Sequence, residues 1–145
     1  MEYIRYIWPG FIEGEHHRVI AERLTAVAKG ELKRLIINMP PRHTKSEFAS
    51  IYFPSWMMGL QPNLKIMQTT HTADLSINFG RKVRNLMDTE EYTKIFQDVN
   101  LAADSKSAGK WQTSKGGEYF AAGVGGAIAG RGADVLIIDD PHSEQ

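Results

Sequence analysis

Two rhythms of hydrophobic and polar positions run along this chain. Leu35–Met39, Leu64–Gln68 and Val135–Ile138 are short, nearly continuous apolar runs that read as strands, the first suited to the middle of a parallel sheet covered on both faces. Between them the period is helical. Glu15–Lys29 places Ile20, Leu24, Val27 and Ala28 on one face, with Gly30 as its C-cap. Ala73–Met87 carries Leu75, Phe79, Val83 and Leu86 as a core stripe, behind a polar loop at Thr69–Thr72 able to cap it. Pro40-Pro41 must end the first run, because proline donates nothing to a ladder. A helix is expected from about Lys45, to kink or stop at Pro54, with Trp56-Met57-Met58 as core packing. Thr89–Phe96 reads as a short helix and Asp98–Gly109 as loop. Trp111–Thr113 and Glu118–Ala122 flank Ser114-Lys115-Gly116-Gly117, a hairpin turn. Residues 1–14, aromatic-rich and broken by Pro9-Gly10 and Gly14, read as an irregular lead-in. Strands alternating with helices predict an α/β domain with a mostly parallel sheet.

Composition narrows this picture a little. The 145 residues make one domain's worth of chain, 42% hydrophobic and 23% charged, ordinary for a globular protein. Seventeen basic residues balance seventeen acidic ones, so any nucleic-acid contact needs a local basic patch. Arg81, Lys82 and Arg84 form one such cluster, either a solvated helix face or a contact to DNA phosphates. No cysteine is present, which excludes disulfides and cysteine-based metal sites. No apolar run reaches membrane-spanning length, and charges and a proline interrupt the N-terminus where a signal peptide needs an apolar core. A soluble chain is expected.

The chemistry concentrates at two strand ends. Leu35–Met39 leads through Pro40-Pro41-Arg42-His43-Thr44 into Lys45-Ser46 and a helix. Strand, loop, Lys-Ser, helix is the layout of a phosphate-binding P-loop, although Met39 and Thr44 occupy the two glycine positions of G-x-x-x-x-G-K-[ST]. The loop Pro41, Arg42, His43, Thr44, Lys45 and Ser46 would surround phosphates with the N–H groups of its non-proline residues and the helix start, with Lys45 on the β/γ charge and the Ser46 hydroxyl on Mg2+. Val135–Ile138 followed by Asp139-Asp140 supplies the second half. Asp139 would hold Mg2+, and Asp140 would orient and deprotonate the attacking water, where a glutamate is usual. Arg42 is either a γ-phosphate clamp or an exposed turn arginine. Arg131, in the glycine-rich stretch ahead of the acidic strand, is either an arginine finger or a structural turn residue. His16 and His17, in the first turn of their helix, are either solvated or contacts to a nucleotide base.

Five stretches in order carry a resemblance: Pro40–Ser46, Thr70–Leu75, Gly117–Gly126, Gly130–Asp134 and Ile137–Pro141. Together they resemble the ATPase domain of tailed-bacteriophage terminase large subunits, over nearly the whole chain. The resemblance implies an ASCE-type P-loop NTPase, a three-layer α/β sandwich incomplete at its C-terminal side. Residues 1–30 would form a lead-in and helix, and 31–145 the nucleotide-binding core. It implies ATP hydrolysis with Mg2+, driving double-stranded DNA into a procapsid. Partners would be the portal protein, the small terminase subunit and further copies of the chain in a ring, where Arg131 could reach a neighbour's nucleotide. The setting would be the cytoplasm of the infected bacterium, transiently at the portal. The family's C-terminal nuclease would be absent from these residues, and His17 lies in the region of its adenine contact, where no glutamine occurs. Two other readings stand beside this one, a helicase-like nucleic-acid translocase and a non-catalytic assembly module binding through the aromatic N-terminus.

Overall fold

The computed structural model describes residues 1–40, 43–103, 107–125 and 132–142. Its centre is a four-stranded sheet in the order β2-β3-β1-β4, with β1 at Lys65–Thr70, β2 at Lys110–Gln112, β3 at Glu118–Gly123 and β4 at Val135–Ile138. β1 runs parallel to both β3 and β4, and β2 pairs antiparallel with β3. The chain is therefore an α/β domain with a mixed sheet. The expected hairpin forms at β2–β3, and Gly116 in its turn adopts φ +87°, a conformation open to glycine at little cost.

The helices are α1 (Glu2–Ile7), α2 (Glu15–Ala28), a π-helical segment (Glu47–Tyr52) that runs directly into α3 (Phe53–Leu60), α4 (Ala73–Met87) and α5 (Glu90–Ile95). α4 begins and ends where its periodicity predicts, and Thr72 caps it by accepting from the Leu75 N–H. Its buried face is shifted from the expected stripe. Ser76, Phe79, Gly80, Val83 and Met87 are buried, while Leu75 and Leu86 are half-buried. Small residues set this face because the helix lies close to its neighbours. A Cβ on Gly80 would stand 2.4 Å from the Ala108 carbonyl oxygen and 2.9 Å from the Tyr119 ring. Ser76 instead donates to the Ala122 carbonyl of β3 at 2.7 Å.

Three further expectations are corrected. The lead-in contains a helix, α1, whose Ile4 and Ile7 are buried in the core. Pro54 does not end the helix before it. The turn upstream widens instead, and the Phe53 N–H bonds to Phe48 O in π register, which accommodates a residue with no N–H and a bulky ring. Finally, Leu35–Met39 is not a strand. Leu35, Ile37 and Met39 pack on the core and Ile36 is 84% exposed, but the stretch pairs with no described strand. A strand exists only through its ladder, and here none forms. The outer edge of β4 is likewise unpaired among the described residues. Leu136 and Ile138 are 56% and 57% exposed on β4.

Candidate functional site

Parallel strands present their carboxyl ends on one side of a sheet, and ligands of open α/β sheets sit in the crevice there. β1 ends at Thr70, followed by His71, and β4 ends at Ile138, followed by Asp139 and Asp140. The Asp139 N–H still bonds to Thr69 O at 3.0 Å, so the ladder carries its backbone to the strand end. The turn His43–Ser46 reaches the same place. Lys45 Nζ lies 3.2 Å from Asp140 Oδ1, and His71 Nδ1 lies 3.3 Å from the Asp140 carbonyl oxygen. Two stretches 95 residues apart thus place an ammonium against a carboxylate.

Among the described residues only two other than glycine have positive φ, Thr44 at +62° and Asp140 at +41°. Both are in this cluster. Non-glycine residues held there are strained, and such strain concentrates at functional positions.

Asp139 is 7% exposed, and Ser50 Oγ donates to its Oδ2 at 2.7 Å. Ser50 is its only side-chain donor among the described residues. Ser50 belongs to the π-helical segment and is fully buried; sequence reading passes over it because nothing marks one serine in an apolar stretch. The strict pattern pointed to Ser46 instead, whose hydroxyl makes no hydrogen bond among the described residues. Ser50→Ala would leave a buried carboxylate without that donor, and about 1–3 kcal/mol of stability should be lost in urea denaturation. An unchanged midpoint would show that the bond contributes nothing.

His17 departs most from expectation. It is 6% exposed, and it continues the apolar face of α2 through Ile20 and Leu24. That spacing was visible beforehand and would have placed it inside. Its ring packs against Phe11 at 4.7 Å and Phe48 at 5.1 Å. Its Nε2 lies 2.6 Å from Thr44 Oγ1, so it faces the loop. Burial pushes His17 below its ordinary pKa, and the neighbouring rings of His16 and His43 act the same way against Glu13, which favours the charge. His16 is half-buried and stacks near His17, with ring centroids 3.8 Å apart.

Of the residues expected in the loop, His43, Thr44, Lys45 and Ser46 are at the site. Pro41, Arg42 and Arg131 lie outside the described residues. Arg81 and Lys82 are exposed on α4, and Arg81 reaches Asn78 Oδ1 at 3.4 Å.

No protein-family model, curated protein or solved structure matches the chain.

No group of three metal-ligating His, Cys, Asp or Glu side chains forms among the described residues. Mg2+ does not require one, since it is commonly held by one or two carboxylates, substrate phosphates and water. A buried Asp139 with one oxygen already oriented by Ser50, next to Asp140 and near the start of the Lys45–Ser46 helix, fits that donor set. No helix among the described residues is long and apolar enough to cross a membrane.

Proposed function

We propose that the chain is an ATP hydrolase of the terminase large-subunit type, the ATPase of a motor that drives double-stranded DNA into a viral procapsid. One observation carries the hydrolase part: Lys45 Nζ stands 3.2 Å from Asp140 Oδ1, beside the buried Asp139, at the carboxyl end of a parallel strand. A lysine at a turn entering a helix and an acid pair closing a strand are the two halves of a nucleoside-triphosphate site. The motor part rests on the ordered stretches that resemble the terminase family.

In this reading Lys45 leaves Asp140 for the β- and γ-phosphate oxygens as the nucleotide enters. Backbone N–H groups at the helix start add donors around the same oxygens. Asp139 and Ser46 would hold Mg2+, which when bound neutralises phosphate charge. Asp140, freed from Lys45, takes a proton from the attacking water. His71 Nδ1–H on the Asp140 carbonyl holds that residue's backbone while the side chain changes partner.

The test is titration of the chain into a fluorescent ATP analogue, read by anisotropy with and without Mg2+. Saturable, Mg2+-dependent binding displaced by ATP is expected. No binding at any chain concentration would reject the nucleotide site. Stimulation of phosphate release by double-stranded rather than single-stranded DNA separates the packaging reading from a helicase-like one.

A further inference from the structure

We infer that His17 is a positioning residue, which holds Thr44 in the left-handed conformation that the phosphate-facing turn requires. The inference rests on the nucleotide reading of the site for its purpose, and on the hydrogen-bond geometry alone for its existence.

Thr44 stands where the usual pattern has a glycine, and its φ of +62° is a glycine's conformation. For a β-branched residue this is a marked outlier. Something must hold it, and two contacts converge on its hydroxyl. His17 Nε2 is 2.6 Å from Thr44 Oγ1, and Thr44 Oγ1 is 2.6 Å from the His43 carbonyl oxygen.

The protons in this chain of contacts have one arrangement. The Gly14 N–H donates to His17 Nδ1 at 2.8 Å, so in the neutral ring the proton sits on Nε2. Nε2–H then donates to Thr44 Oγ1, and the threonine O–H donates onward to His43 O. Each donor has one acceptor, and the threonine side chain cannot turn about χ1 without breaking both of these bonds. A valine would have the shape without either bond.

The ring itself is fixed. Its backbone lies in the first turn of α2, and its Nδ1 satisfies the N–H that precedes that helix. Phe11 meets it edge-on and Phe48 lies stacked against it. The Phe48 N–H also bonds to Thr44 O at 3.1 Å, so one residue of the π-helical segment braces both the imidazole and the strained peptide. The direction of the Thr44 peptide sets where the following N–H groups of Lys45 and Ser46 point, and those groups are the donors a phosphate would meet. His17 therefore acts through Thr44 rather than on the nucleotide.

The contact predicts a dependence that a purely structural histidine lacks: His17 matters only while residue 44 needs holding. The parent, His17→Ala, Thr44→Gly and the double variant are titrated into the fluorescent ATP analogue with Mg2+, and each is also unfolded in urea. His17→Ala is expected to weaken binding about tenfold with Thr44 present, the factor for one lost hydrogen bond. In the Thr44→Gly background it should change binding less than about twofold. Equal weakening in both backgrounds overturns the inference. Thr44→Val guards against a failure of His17→Ala to fold: it should lose binding by about the same tenfold factor while retaining a cooperative unfolding transition. Binding as tight as the parent's overturns the inference. If the parent itself binds no nucleotide, the functional reading fails, and the urea midpoints decide the positioning role. Non-additive midpoints then uphold it, and additive ones reject it.

Discussion

Lys45→Ala should weaken binding of Mg·ATP by about 100-fold and leave the fold intact. The first half follows from the charge-assisted bonds a lysine makes to phosphate, roughly 1.5–3 kcal/mol each. Converted to affinity, the upper end is about two orders of magnitude. The second half follows from where the ammonium is now. Its only described partner is the Asp140 carboxylate, and these side chains are 26% and 64% exposed. A pair that open to solvent contributes little to stability. The lysine is therefore held ready at modest expense to the fold, and its loss should appear in ligand titration and hardly at all in thermal melting. Equal affinity of parent and variant would remove the phosphate assignment. A large fall in melting temperature would show instead that Lys45 is structural.

Asp140→Asn should do the opposite to the two halves of the reaction. Nucleotide binding should be kept or tightened, because the competing carboxylate on Lys45 becomes neutral. Turnover should fall by about 100-fold or more, the usual contribution of a general base. Asparagine is a clean probe here because it tolerates a left-handed backbone at least as well as aspartate, and Asp140 sits at φ +41°. Anisotropy gives the binding half and steady-state phosphate release the other. Turnover equal to the parent's would assign the base to another group. Asp140 is a methylene shorter than the glutamate usual at such positions, and the Lys45 side chain spans the gap to its carboxylate.

Much of this site was legible before any coordinates. An apolar run, a break and a charged residue mark both Lys45 and Asp140 in the sequence, and the structure puts the two side chains 3.2 Å apart, although only the run before Asp140 forms a strand. α4 and the β2–β3 hairpin were equally readable, since their caps and turn residues agree with their periodicity. What escaped depends on tertiary partners. Ser50 matters only because the π-helical winding aims it at Asp139, and no single-residue signal encodes that. The Leu35–Met39 run has strand composition, yet a strand is a relation between two segments, and composition describes only one. His17 is hidden for a different reason: a histidine in the first turn of a helix has the polarity of a solvated residue, while its alignment with Ile20 and Leu24 points inward. Thr44 occupies a glycine position of the pattern, and its φ shows a side chain accommodated in a glycine's place.

The bare side of β4 has a consequence for handling the protein. Among the described residues the outer backbone donors and acceptors of β4 are unpaired, its Leu136 and Ile138 are exposed, and the strand has no lysine or proline to discourage a stranger. Such an edge recruits whatever extended chain it meets, including another molecule of the same kind. Clouding at high concentration is the expected symptom. Light scattering should show it recede when Leu136 is replaced by lysine, and equal scattering would clear β4 of responsibility.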